Sequence, residues 1–169
     1  MDDVVRRASE RLATMNDLPA LLELEQRAFP QSRWASEATL TLRLELPDAV
    51  TWLSFDDGAP AGFANGFPIK DLATQSDLDP PDQELYLPGG QVWLLRNIAV
   101  RPSLQRRGIG RRLVEKQVEA ARSYGARCAR FTAPDSLAEF YTKLGFRIIR
   151  KAGAFHGLPQ AVWESSLRD

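Results

Sequence analysis

Hydrophobic positions along the chain switch between two periods, and the switches mark the elements. Val4 to Ala8 reads as a short first strand. From Leu18 the apolar side chains recur at helical spacing, with Leu18, Leu21, Leu22, Ala28 and Phe29 on one face. Asp17 stands at the N-cap, Pro19 falls in the first turn, and Pro30 stops the helix. Ser36 caps a second helix that turns Leu40 and Leu44 inward. The period then drops to two. Val50 to Phe55 is a strand, Asp56-Asp57-Gly58 a hairpin turn, and Ala61 to Ile69 the antiparallel partner.

The pattern fades over residues 70–90, which hold five acids and three prolines and end in Pro88-Gly89-Gly90. A loop this long without its own structure is unusual in a compact domain, so it reads as a partly mobile segment with a purpose. Val92 to Val100 is then almost wholly apolar, as expected of a central strand covered on both faces. Gly110 to about Gly125 is helical, with Leu113, Val114, Val118 and Ala121 on one side. Arg127 to Ala133 is a strand. Ser136 and Glu139 have capping-box spacing and open a short helix through Leu144. Phe146 to Arg150 and Ala161 to Ser165 form a last strand pair joined by Gly153–Pro159. The order βααβββαβαββ predicts one α/β domain over residues 1–169. Its mixed, mostly antiparallel sheet has six to seven strands, flanked by about four helices.

Composition narrows the chemistry. The 169 residues carry 22 basic and 22 acidic side chains, so the net charge is zero. Residues 1–90 hold seven basic against sixteen acidic, a balance of −9, and residues 91–169 hold fifteen against six, or +9. Such a split suggests that one half meets an anion. With one cysteine, Cys128, and one histidine, His156, the usual zinc centre and cysteine-based frameworks are excluded. No apolar run spans a membrane, and Met1-Asp2-Asp3 does not open a signal peptide, which points to the cytoplasm.

The densest chemical signal is Gln105-Arg106-Arg107-Gly108-Ile109-Gly110-Arg111, between a strand and a helix. Two glycines two apart let successive N–H groups converge on one point, at which the following helix aims its dipole. Arg106, Arg107, Arg111 and Arg112 surround that point. Their mutual repulsion favours an anion among them, a phosphate or pyrophosphate. A dinucleotide-binding turn would need a third glycine where Leu113 stands. A nucleoside-triphosphate loop would need Gly-Lys-Ser/Thr where the chain has Gly110-Arg111-Arg112. The arginines ring a turn and do not line a groove with interleaved aromatics, which argues against nucleic acid.

Ile98-Ala99-Val100-Arg101-Pro102 followed by Gln105-Arg106-Arg107-Gly108-Ile109-Gly110 resembles the acetyl-coenzyme A signature of the GNAT superfamily of N-acetyltransferases. Phe140-Tyr141-Thr142-Lys143-Leu144-Gly145-Phe146 is similar to that family's second landmark. Pro88-Gly89-Gly90 through Phe140-Tyr141 looks most like the arylalkylamine (serotonin-type) branch, and the Asn97-Ile98-Ala99-Val100 piece equally resembles the enzymes that acetylate protein N-termini. That branch's two-histidine relay is replaced here by Leu94 and Arg96. The family's common asparagine, seven residues before the tyrosine, is Pro134.

The resemblance implies acetyl-CoA as acetyl donor and a primary amine, small or on a peptide, as acceptor, in a monomer or homodimer. The backbone of Ile98, Ala99 and Val100 would hold the pantetheine arm. N–H groups and side chains from Gln105 through Arg111 would hold the phosphates, with Phe140 packing nearby. Tyr141 would be the general acid. Glu25, His156 or a water chain would be the base, and Phe29, Trp34 and His156 would border the acceptor. Residues 1–90 would form the acceptor side and residues 91–169 the cofactor side. An acidic mouth would draw in a cationic amine. The competing reading is a non-catalytic acyl-CoA sensor of the same fold.

Overall fold

The computed structural model describes residues 9–71, 81–155 and 158–167. Seven strands form one sheet in the order β1-β2-β3-β4-β5-β7-β6. They are β1 (Ser9–Leu12), β2 (Val50–Asp56), β3 (Ala59–Ile69), β4 (Val92–Val100), β5 (Cys128–Pro134), β6 (Arg147–Phe155) and β7 (Leu158–Ser166). The helices are α1 (Leu18–Ala28), α2 (Glu37–Glu45), the single turn α3 (Asp82–Leu85), α4 (Ile109–Tyr124) and α5 (Ala138–Lys143). The predicted strand at residues 4–8 lies outside the described residues, and the described first strand begins at Ser9.

Helices cover both faces of the sheet. On one side Leu21, Leu24 and Leu40 pack on Leu53, Phe63 and Ala99. On the other, Ile109 and Leu113 of α4 pack on Ala61 and Ala64. Phe63 and Ala64 thus face opposite layers, so β3 is buried on both sides. Further along α4, Val114 and Ala121 join Trp93, Phe131, Tyr141 and Trp163 in the largest apolar cluster.

Two features of β4 shape the functional end. It pairs with β5 in parallel only at Val92–Leu94 against Cys128–Arg130. Beyond Leu94 the two strands diverge and open a cleft. On its other edge, β4 meets β3 with a register shift, Asn65 opposite Asn97 and Gly66 opposite Leu95. Arg96 is the extra residue of this bulge, which reverses the strand's alternation. Trp93 and Leu95 face the α4 layer before it, and Ile98 and Val100 face that layer after it. Without the extra residue Asn97 would point into the α4 core; with it, Asn97 faces α1.

Several expectations need correction. Ser36 does cap α2, accepting from the Thr39 N–H at 3.1 Å. Ser136 and Glu139 form no capping box. Residues 135–137 make a single 3-10 turn, Leu137 is the N-cap of α5, and the Glu139 carboxylate takes Lys143 instead. The segment read as a loop over 70–90 carries α3, and Tyr86 bridges back to Ile69. Gly153, at φ +76°, lies inside β6 where the β6–β7 register shifts. Its turn-like signal belongs to that bulge, and the final hairpin is longer than predicted.

Candidate active site

The first part of the site is the turn from β4 into α4. Arg106 and Gly108 have φ of +64° and +80°, the left-handed region that folds the chain back sharply. Gln105 steadies the turn by donating from Nε2 to the Val100 carbonyl at 3.4 Å. The first α4 N–H to reach a carbonyl is that of Arg112, on Gly108 at 3.1 Å. The N–H groups of Ile109, Gly110 and Arg111 belong to the first turn, whose donors have no helical partner. The Ile109 side chain is buried in the core, so only its backbone faces the turn.

Gly110 joins the two sequence landmarks. A Cβ there would lie 3.7 Å from Val100 Cγ2 and 3.8 Å from Phe140 Cζ. The glycine turn, the end of β4 and the Phe140-Tyr141 pair therefore meet in space. Phe140 is exposed and Tyr141 buried. Tyr141 packs against Phe131 (ring centroids 4.4 Å apart), Phe140, Phe146 and Trp163. This apolar surround pushes the phenol up to about 12.

The arginine cluster does not require an anion to neutralise it. Arg111 pairs with Glu115 at 2.9 Å, Arg112 with Glu10 at 2.9 Å, and Arg107 approaches Asp56 at 3.8 Å. The turn still offers what a pyrophosphate needs, through its left-handed backbone, three first-turn donors and the small residue at 110.

The second part is a cavity of about 560 Å³ where β4 and β5 separate. Glu25, Phe29 and Trp34 line it from the α1 side, Arg43 from α2, and Leu94, Arg96 and Asn97 from β4. Thr132, Arg150 and Gln160 supply the far wall. Glu25 is 2% exposed. It accepts from Asn97 Nδ2 at 2.8 Å and from the Ala35 N–H at 2.9 Å. Burial pushes its carboxyl above the usual carboxylate range, opposed by those hydrogen bonds and by Arg43 and Arg33. Trp34 is held by its indole N–H, which donates to the Phe29 carbonyl at 2.7 Å. Asp82, also buried, accepts from Arg43 Nε and Arg96 Nε, both at 2.7 Å.

The cavity brings Phe29, Trp34 and Glu25 together, and His156 lies outside the described residues. Sequence reasoning missed Arg43, Asp82, Thr132, Arg150 and Gln160, and placed Asn97 only in a motif. One signal was available: Arg96 and Asn97 interrupt an otherwise apolar central strand. Among the described residues the cavity lining is not acidic. Its charged members are Arg33, Arg43, Arg96 and Arg150 against Glu25 and Asp82. Among the described residues no cluster of His, Cys, Asp and Glu could hold a metal, and no helix is long and apolar enough to cross a membrane.

The model of the acetyltransferase (GNAT) family matches residues 18–146, and the chain belongs to that family. No curated protein matches it by sequence. Solved structures share the fold across nearly the whole of both chains. The GphF GNAT-like decarboxylase in complex with isobutyryl-CoA has a TM-score of 0.84 at 21% identity, covering 95% of this chain and 100% of that one. The ribosomal-protein-S18-alanine N-acetyltransferase from Escherichia coli has 0.72 at 20%, covering 96% of each. YncA from Salmonella typhimurium, a putative acetyltransferase with its cofactor acetyl-CoA, has 0.71 at 18%, covering 96% and 95%.

Proposed function

We propose that the protein transfers acetyl from acetyl-CoA to a primary amine by direct attack within a ternary complex. The observation that carries this reading is the meeting of Gly110, Val100 and Phe140 beside Tyr141 at the end of the β4–β5 cleft. From Leu95 onward the β4 edge facing the cleft has no β5 partner. The pantetheine amides of the cofactor can pair there as an added strand along Ile98, Ala99 and Val100. Backbone donors from Arg106 to Arg111 take the pyrophosphate, and the side chains of Gln105, Arg106, Arg107 and Arg111 lie exposed around it. A backbone N–H in the cleft stabilises the developing oxyanion.

Tyr141 is the general acid. Its proton is held firmly across the physiological range, because burial raises the phenol to about 12. The thiolate of a thiol near 8.5 is a weaker base than that phenolate. Transfer is therefore coupled to C–S cleavage, when charge gathers on sulfur and the leaving thiolate takes the proton. Phe29 and Trp34 wall the acceptor side and suit an apolar or aromatic amine, in keeping with the arylalkylamine likeness. A coenzyme A release assay over a panel of amines tests the proposal. Tight acetyl-CoA binding without turnover on any amine would leave the sensor reading instead.

The cavity's four arginines favour a second reading, loss of CO2 from a carboxylated acyl-CoA. The fold's likeness to the GphF decarboxylase agrees with it. The bond between the carboxylate and the α-carbon would break, CO2 would leave, and the α-carbon would take a proton. Release of CO2 from malonyl-CoA without any amine separates this reaction from acetyl transfer.

A further inference from the structure

The transfer scheme leaves the far wall of the acceptor cavity unused. That wall is the sheet itself, and the strand register decides which side chains it presents. Phe131 and Ala133 of β5 and Ala161 and Trp163 of β7 belong to the apolar cluster on the α4 side. Alternation therefore turns Thr132 and Gln160 to the opposite face, where both line the cavity. Arg150 reaches the same face through a second bulge. Ile148 of β6 pairs with Trp163 and Arg150 pairs with Val162, so Ile149 is the extra residue. Without it, Arg150 would stand opposite Ala161 and face α4. Val162 also pairs with Thr132, so Arg150, Val162 and Thr132 make one row across three strands. The ends of that row are two strand spacings apart, roughly 10 Å at the backbone. Gln160 lies on the same face one pleat along from Val162, and it is 3% exposed.

Resting on the amine-acetylation reading, we infer that Arg150, Thr132 and Gln160 form a subsite for a carboxylate carried by the substrate, so that the acceptor is an amine of the amino-acid class. The wall offers a guanidinium fork, a hydroxyl and an amide N–H. Two carboxylate oxygens match the fork, and their remaining lone pairs suit the hydroxyl and the amide. The charge agrees. Four arginines line the cavity against two carboxylates, Glu25 and Asp82, which stand on α1 and α3 and not on the sheet. Asp82 already serves two of the arginines, Arg43 and Arg96. A carboxylate held on the sheet leaves the apolar part of the acceptor to Phe29 and Trp34, which border the cavity from the α1 side. The same subsite suits the carboxylate of a malonyl-type acyl group, the second source of this chemistry.

Matched amines test the subsite. L-phenylalanine is compared with L-phenylalaninamide, and glycine with glycinamide, each pair nearly equal in size and differing in the charge. In the wild type the carboxylate member of at least one pair should have the higher kcat/KM, by about tenfold or more. The amide is the less protonated amine in both pairs, so this preference runs against intrinsic reactivity. Arg150→Gln should bring the ratio to within about threefold of one, with the loss in KM for the carboxylate member, and Arg150→Lys should keep part of it. Thr132→Val, which exchanges the hydroxyl for a methyl group, should lower the ratio severalfold and serves as a second probe should Arg150→Gln fold poorly. Calorimetry with malonyl-CoA and acetyl-CoA distinguishes the two sources. Binding of malonyl-CoA about tenfold the tighter, lost in Arg150→Gln, would place the carboxylate on the acyl group. Equal kcat/KM within both amine pairs, with equal affinity for the two thioesters, would overturn the subsite and leave acetyl transfer standing. Absence of turnover on any amine would overturn the acetylation reading and with it the amino-acid acceptor, and equal thioester affinities would then overturn the subsite as well.

Discussion

Asp82 offers the sharpest test of how the cavity is built. Its two oxygens serve two guanidinium groups, the buried Arg43 and the partly buried Arg96, each through Nε at 2.7 Å. The side chains are 3%, 9% and 13% exposed respectively. Each pair is worth about 4 kcal/mol by Coulomb attraction at an effective dielectric near 20. Desolvation offsets most of that, so the intact arrangement adds little net stability. Removing the shared acceptor is different, because both donors lose it while the surrounding apolar packing remains. Asp82→Asn should therefore cost about 3–5 kcal/mol. For a domain of this size that lowers Tm by roughly 10 °C. Urea unfolding measures it, with constant m-value showing that the native state stays compact. A double-mutant cycle with Arg43→Met should give a coupling of at least about 1 kcal/mol. A loss below about 1 kcal/mol for Asp82→Asn, with no coupling to Arg43, would refute the idea that this carboxylate pins α3 to α2 and to the β4 bulge.

Other consequences are checked more briefly. Tyr141→Phe should lower kcat by about 10²-fold with little change in acetyl-CoA Kd by calorimetry. The folded state holds the phenol proton at about 12 against an ordinary value near 10. That contribution, about 3 kcal/mol, is complete below pH 10 and is lost as pH rises toward 12, and Tyr141→Phe should lack this part of the alkaline loss in stability. Gly110→Ala has room for its methyl and should fold normally, whereas Gly110→Glu should abolish acetyl-CoA binding while melting near the wild-type temperature. An arginine-lined cavity should favour amines that also carry a carboxylate over polyamines, read as kcat/KM across the acceptor panel.

Much of the fold was written in local signals. The apolar run Val92–Val100, the periodic helix after Gly110 and the Asp56-Asp57-Gly58 turn each announce themselves within a few residues. The glycine turn before α4 was legible for the same reason, because its backbone geometry depends on glycines at fixed spacing. The acceptor cavity was not. Arg43, Asp82, Thr132, Arg150 and Gln160 come from five separate elements and meet only through the sheet order and the bulge at Arg96. A bulge of one extra residue leaves no mark in an apolar strand, yet it decides which way Asn97 points. The Ser136–Glu139 spacing misled because Pro134 and a 3-10 turn fix the start of α5 by backbone means.

The opposite charges of the two halves of the sequence meet one another in the fold. Acids of the first half meet arginines of the second in Glu10–Arg112, Asp56–Arg107, Asp82–Arg96 and Asp71 with both Arg127 and Arg130. Of these, the exposed Asp71–Arg127 pair contributes little energy. The position of Asp71 is the telling one. It follows the end of β3, two residues beyond Ile69, which pairs with Val92. Arg130 is the last β5 residue to pair with β4, opposite Leu94. Asp71 therefore reaches across β4 and fastens β5 at the end where the two strands still touch. Beyond this point, from Leu95 onward, β4 has no β5 partner. Part of the charge asymmetry thus lies in ion pairs that tie the two halves together at the end where β4 and β5 still pair.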